Sequence, residues 1–450
     1  MKNIIPKFYK SYGDYVNKRK MIVSRQDGLI PVQRRLLLTL HLVAKTSMVK
    51  TNKILGDMLA KFHPHETADG TAEWCVQNKL AVGDGQWGTA RGIEPINAAA
   101  SRYTSLKASP FIEEIAFKYV DSVVWEEDEV DPEPVTLPTM IPICFLSETD
   151  MSTIAFGFRP TLPTYKFGDL VSRLLYLLDN NNPKKIIKPN VYNCDITSKP
   201  KAIEKILTTA GKHTIDVVGK YKVDEANLAV HVYGWAPRDN MRGTSFKTIL
   251  DRINKYQNSN LIASEKIGFV DESTSETDIK FVVLQKRNSK EVFDLMVKAI
   301  EHSLKFSIGY KIITIDENKN IIEDTVDSML LSAFNNYKKA MEIHIRNEIK
   351  SLIEKIKELE ALELIKTHIK DVLNLTSDLD TIAKTLAEKT KLTLETVNMI
   401  IDKYKIKHLL KDMKIDKNSL VSEKTKLESQ LSDTQKTAID FYKEVYKKYA

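Results

Sequence analysis

Cysteine is scarce in this 450-residue chain: Cys75, Cys144 and Cys194 stand far apart and form no CxxC pair. Such spacing excludes a disulfide framework and a zinc site, and the expected role of these residues is that of small buried apolar side chains. Glycine and proline are few as well, 16 and 15 residues, which points to ordered structure rich in helix rather than to a low-complexity chain. Long hydrophobic runs are missing. No window offers the roughly 18 nearly uncharged apolar residues that span a bilayer, and the opening MKNIIPKFYK lacks the apolar centre of a signal peptide. The expectation is a cytoplasmic chain without membrane association. No phosphate-cradling P-loop is found either, so nucleotide hydrolysis is not expected of this chain.

What is present begins with size and charge. A chain this long exceeds what one hydrophobic core usually serves, so two or three structural units are expected. The net charge of +7 is modest, but it is unevenly placed. Residues 1–107 hold 17 Lys and Arg against 8 Asp and Glu, a local balance of 17 − 8 = +9. A polyanion fits that quarter of the chain; a plain solvated basic surface fits it equally. Directly afterwards, residues 121–133 (DSVVWEEDEVDPE) carry seven acids and no base, a stretch that DNA would avoid.

Hydrophobic periodicity predicts an α+β multidomain fold with three parts. In the first, residues 1–134, PVQRRLLLTLHLV (31–43) reads as a buried helix opened by proline. TNKILGDMLAKF (51–62) follows as a second helix, with Thr51 as a candidate cap and Ile54, Leu55, Met58, Leu59 and Phe62 as one stripe. Two helices joined by a short linker predict a helix-turn-helix or winged-helix domain, in which Lys53 and Lys61 lie off the stripe where phosphates can be met. A helical hairpin with no ligand shows the same pattern. The second part, residues 135–325, mixes Pro-rich extended segments with strands such as NLAVHVYGWA and DIKFVVLQ and helices such as SKEVFDLMVKAIEHSL. The third, residues 326–450, is long helix. Its Ile345, Ile349, Leu352, Ile356 and Leu359 recur at spacings of four and three, a coiled-coil seam expected to build an antiparallel arm that packs on its own chain or on a symmetry mate.

Four segments carry more specific information: Asp27-Gly28-Leu29-Ile30-Pro31-Val32-Gln33-Arg34-Arg35; Lys61-Phe62-His63-Pro64-His65; GDGQWGTARGIEPINAAASRY from Gly83 to Tyr103; and Ser152-Thr153-Ile154-Ala155-Phe156-Gly157-Phe158. Taken in order, they resemble the signatures of type IIA DNA topoisomerases, in particular the breakage-reunion subunit represented by gyrase A and its phage counterpart. The resemblance spans most of the chain. Ile30 stands where the family has lysine, and Glu66-Thr67 where it has Gly-Asp. Weaker likeness to the family's tower domain lies at residues 266–273 and 304–308.

The resemblance implies a role for each segment. Tyr103 would be the nucleophile that takes a DNA 5′-phosphate, and Arg102 would hold that phosphate and offset charge in the transition state. Exchanging one phosphoester for another preserves the bond energy of the cut strand, and a phenol with a pKa near 10 is a good leaving group when the strand is rejoined. Arg34, Arg35, His63 and His65 would contact DNA with Lys53 and Lys61, and Ile154 would wedge between base pairs and bend the duplex. The implied partners are double-stranded DNA, a second copy of the chain joined through the C-terminal arm as a dimer gate, and an ATPase/TOPRIM subunit carrying both ATP and Mg2+. With no room after the arm for a DNA-wrapping domain, relaxation or decatenation is expected rather than negative supercoiling. The competing expectation is a non-enzymatic dimeric DNA-binding scaffold whose tyrosine has lost its role.

Overall fold

The structure, a computed structural model, describes residues 4–449 apart from 63–67, 90–95, 127–131, 148–150, 180–185, 192, 236–245, 260–266, 275–279, 286–289, 375–377 and 410–416. It divides into two compact units, Met1–Tyr337 with Tyr442–Ala450, and Lys338–Phe441. Among the described residues no helix is long and apolar enough to cross a membrane.

The first unit opens with helix α1 (Ile4–Val16), which continues into a π-helical turn, Asn17–Met21. Helix α2 (Pro31–Val43) takes the bounds its sequence predicts, with proline in the first turn and Leu36, Leu37, Leu38 and Leu40 buried. Strand β1 (Val49–Lys50) leads into α3 (Thr51–Lys61), whose Ile54, Leu55 and Met58 face the core. Thr51 does not cap this helix. Its hydroxyl instead pairs with that of Thr104 at 2.8 Å. Helix α4 (Asp69–Gln77), β2 (Ala81–Asp84) and β3 (Ser105–Ala108) follow, and the three strands form an antiparallel sheet in the order β1-β3-β2. Next come α5 (Pro110–Ala116) and a two-stranded pair, β4 (Trp125–Glu126) with β5 (Glu133–Pro134).

Two larger sheets occupy the middle of the chain. Strands β6 (Met151–Ser152) and β7 (Thr161–Leu162) form a hairpin, followed by α6 (Phe167–Leu178), β8 (Cys194–Ile196), α7 (Pro200–Thr208) and β9 (Lys212–Gly219). After β10 (Tyr221–Asp224), β11 (Ala229–Val232), α8 (Phe246–Ser259), β12 (Ile267–Asp271), β13 (Phe281–Gln285) and α9 (Lys290–Ser303), strand β14 (Lys305–Lys311) returns to pair with β7 and β9. The five-stranded sheet runs β6-β7-β14-β9-β8 and the four-stranded sheet β10-β11-β13-β12. A hairpin of β15 (Ile313–Ile315) and β16 (Ile321–Glu323) precedes the long helix α10 (Val326–Leu373). The mixed α+β class is as the periodicity predicts.

The seam of α10 lies in the second unit, where Ile345 and Leu352 are buried and Ile349, Ile356 and Leu359 half-buried. Beyond them Ala361, Leu362, Ile365, Ile369 and Val372 pack with Ile382, Ala383 and Leu386 of α11 (Leu379–Thr390) and Val397 and Ile400 of α12 (Leu394–Leu409). Helix α13 (Lys417–Ser432) runs back along α10, since Lys417 pairs with Glu360 at 2.8 Å while Thr434 donates to Glu342 at 2.8 Å. That order of partners is antiparallel. The last helix, α14 (Thr434–Tyr449), re-enters the first unit, where the Tyr442 hydroxyl donates to the Met140 carbonyl at 2.5 Å and its ring meets Tyr337 at 5.4 Å. The compact units divide inside α10 and α14, because the first turns of α10 and the last turns of α14 bury their apolar faces in the first unit.

Candidate nucleic-acid interface

The segment from Asp27 to Arg35 forms a buried hub. Asp27 is fully buried and accepts from the backbone N–H groups of Leu29 and Leu137, both at 3.0 Å. Arg34 closes the arrangement with Nε to Asp27 Oδ2 at 2.6 Å and Nη2 to Oδ1 at 3.1 Å. Gly28 is required here: its φ is +68°, and a Cβ would sit 2.8 Å from the Cys144 sulfur and 2.9 Å from two backbone nitrogens. Arg35 pairs with Glu133 of β5 at 2.5 Å. Arg34 is only 6% and Arg35 only 2% exposed, and each is paired with a buried carboxylate, which needs a cation beside it.

Tyr103 is placed quite differently. It ends a turn over residues 101–103 ahead of β3, its ring is 66% exposed, and the Arg102 guanidinium lies over it at 4.9 Å from the ring centroid. The turn is fastened to the start of α3 on both sides of the tyrosine. Thr51 N–H donates to the Thr104 carbonyl at 3.1 Å, the two threonine hydroxyls pair, and Ser101 Oγ donates to Asn52 Oδ1. Lys53 is exposed in the first turn of α3, next in sequence to Asn52, and Lys61 is exposed at the other end of the same helix. His63 and His65 lie outside the described residues.

Ahead of the tyrosine in sequence, Ala99 N–H donates to the Gln86 carbonyl at 2.9 Å and Ala98 N–H to Glu73 at 3.2 Å. Gly88 has φ +69°, and a Cβ there would lie 2.2 Å from the Ile96 carbonyl oxygen. Only glycine allows the loop to close so tightly.

Ile154 sits at the tip of the β6–β7 hairpin. Ala155 and Phe158 exchange backbone hydrogen bonds at 3.0 and 3.2 Å around a two-residue turn, with Gly157 at φ +78°. Side chains alternate along this tip, so Ala155 is buried against Ile22 and Ile313 while Ile154 stands 57% exposed. Asn17 of the π-helical turn grips the tip from the side: its Nδ2 donates to the Phe156 carbonyl at 2.9 Å, and Phe156 N–H donates to its Oδ1 at 2.7 Å. Asn17 carries no motif in the sequence, and only the fold reveals this contact.

Burial pushes Cys75 and Cys144 far above the usual thiol range, and Cys194, half-buried rather than buried, is pushed up to about 12 by desolvation and then by Asp195. Among the described residues no group of three or more His, Cys, Asp or Glu is placed to hold a metal ion.

Comparison with known proteins gives the same direction. The family described as the A subunit of DNA gyrase/topoisomerase IV matches residues 21–449. The DNA gyrase A subunit of Helicobacter pylori strain J99 is 27% identical over 68% of this chain and 38% of its own length. That of Campylobacter jejuni is 31% identical over 40% of this chain and 22% of its own. The DNA topoisomerase 4 A subunit of Rickettsia prowazekii is 23% identical over 96% of this chain and 60% of its own length. The chain thus spans less than two thirds of the length of these relatives.

Proposed function

The chain belongs to the family of DNA gyrase and topoisomerase IV A subunits, and from that premise we propose that it is the DNA-breaking and rejoining subunit of a type II DNA topoisomerase, an isomerase acting in the cytoplasm. In this reading α2, α3 and the β1-β3-β2 sheet serve as a winged-helix unit. Lys53 and Lys61 meet backbone phosphates, Ile154 is the apolar wedge, and Tyr103 is the nucleophile. The phenol gives up its proton as its oxygen attacks phosphorus. The bond from phosphorus to the 3′-oxygen breaks, that oxygen is protonated, and the 5′-phosphate remains on tyrosine. Resealing runs the same exchange backwards. Arg102 offsets the charge gathering on the phosphoryl oxygens.

The observation that carries this reading is the tyrosine turn. An aromatic ring two-thirds exposed, fastened through its neighbours to a helix that presents lysines, is held where a duplex can reach it. Exposure alone does not single it out, since Tyr9 and Tyr12 are exposed too; the fastened turn with Arg102 over the ring does. In this reading Mg2+ is carried with ATP on an ATPase/TOPRIM partner; bound there, the ion would supply Lewis-acid stabilisation of the leaving oxygen. The helical second unit would join two copies of the chain.

Trapping tests the proposal. The chain is mixed with a family ATPase/TOPRIM partner, supercoiled DNA, ATP and Mg2+, then denatured. Protein covalently attached to DNA 5′ ends, lost in Tyr103→Phe while duplex binding persists, is the expected result. Absence of any adduct under conditions in which DNA is bound would leave a non-enzymatic scaffold as the better description.

A further inference from the structure

We propose that Asn17 is a positioning residue for the DNA-bending turn, acting through the backbone of Phe156; this rests on the reading of Ile154 as the wedge. Asn17 is 2% exposed and spends its amide on both polar groups of one residue, with Nδ2 to the Phe156 carbonyl at 2.9 Å and Phe156 N–H to Oδ1 at 2.7 Å. At a hairpin tip these two groups point away from the partner strand and would otherwise face water. The amide side chain thereby stands in for a neighbouring strand. Further contacts converge on the same turn. The rings of Tyr9 and Tyr12 meet Phe156 edge-on at 5.8 and 6.0 Å, Gly13 leaves room for its Cβ, and the Thr153 hydroxyl donates to the Met21 carbonyl at 3.1 Å.

A two-residue turn joined to two-residue strands is a weak platform for a wedge, because inserting an apolar side chain between base pairs loads the tip with the cost of unstacking. Holding Ile154 requires that the turn not yield. Its inner side is anchored by Ala155 against Ile22 and Ile313, and its outer side rests on α1 and the π-helical turn. Asn17 is the polar anchor on that outer side. Its replacement should therefore leave duplex affinity nearly intact, since the residue is buried from solvent, and should weaken bending.

The test uses the chain with its ATPase/TOPRIM partner and a duplex of about 30 base pairs carrying a donor and acceptor dye at its ends. Energy transfer reports the bend, and a parallel titration reports Kd. In Asn17→Ala the ratio of bent to straight duplex is expected to fall roughly tenfold, the factor that one intramolecular hydrogen bond of ordinary strength sets, with Kd changed by less than about twofold. Hydrogen exchange in residues 153–160 should rise without a matching rise in α2 and α3. Ile154→Ala is the control. If it straightens the duplex while Asn17→Ala bends it fully, the role of Asn17 is overturned and the wedge reading stands. If Ile154→Ala bends DNA as the unsubstituted chain does, the wedge reading itself falls and the role of Asn17 with it. Should Asn17→Ala fail to melt cooperatively, Tyr9→Ala/Tyr12→Ala, which removes two largely exposed rings from the same turn, decides: partial loss of bending supports the proposal and full bending overturns it.

Discussion

Arg34 keeps two guanidinium nitrogens on Asp27 in a site that water does not reach, so truncating it strands a buried carboxylate. Arg34→Ala should cost about 3–5 kcal/mol of stability, visible as a large fall in Tm, with little change in the salt dependence of DNA binding. Lys53→Ala should do the opposite: no change in Tm, and a salt slope reduced by about one counterion. Thermal melts and binding titrations across salt concentrations separate the two, and a steep loss of salt dependence in folded Arg34→Ala would return that residue to the DNA surface. In sequence these cations look alike. Nothing local distinguishes a paired Arg from a free Lys, because the partner of Arg35 lies 98 positions away at Glu133. Arg102 is the informative neighbour. It is exposed and adjacent to Tyr103, so Arg102→Ala should leave Tm unchanged and slow DNA cleavage by on the order of 10²-fold, the scale of a lost transition-state donor. Single-turnover cleavage would check it; a rate within a fewfold of the unsubstituted chain would remove Arg102 from the chemistry.

Among elements, α2 and α3 were legible because burial imposes a helical period and proline marks a start, whereas α1 and its π-helical turn were not. Phe8, Tyr12 and Tyr15 recur at helical spacing, but that spacing does not reveal that Asn17 holds a turn some 139 residues on. The seam of α10 was readable by spacing, yet spacing alone does not say what covers it. In the second unit one polar link is measurable. Glu358 of α10 accepts from Lys403 at 2.8 Å and from the Tyr404 hydroxyl at 2.6 Å, and these bonds hold its carboxyl below the ordinary carboxylate range. A lowered folded-state pKa contributes stability that is present above the unfolded value of about 4.3 and is lost as pH falls through the folded value. Glu358→Gln should therefore lower the stability of the arm near pH 7 and make no difference in acid, once pH has fallen below the folded value. Circular-dichroism melts of the two full chains at both pH values test this, and an equal penalty in acid would mean that the carboxylate charge contributes nothing.

Over the whole molecule charge and architecture coincide in a way composition hides. Residues 1–107 carry +9, while residues 338–441 hold 20 Lys and Arg against 18 Asp and Glu, a balance of 20 − 18 = +2. Of the total charge of +7, the part that attracts a polyanion thus belongs to the first unit, where α3 and the tyrosine turn lie. Counterion release follows local phosphate neutralisation rather than net charge, so a near-neutral helical unit should add little to the salt dependence of duplex binding. Arm lysines are also committed to acids, as Lys403 is to Glu358 and Lys417 to Glu360. Lysine modification with and without a duplex then has a definite expectation. Lys53 and Lys61 should be protected several-fold, and Lys355 and Lys389, exposed on the second unit, should react equally in both states. Protection of the arm lysines at low salt that disappears at physiological salt would mark loose electrostatic contact; protection that persists would place the duplex on the helical unit and break the link between local charge and the tyrosine turn.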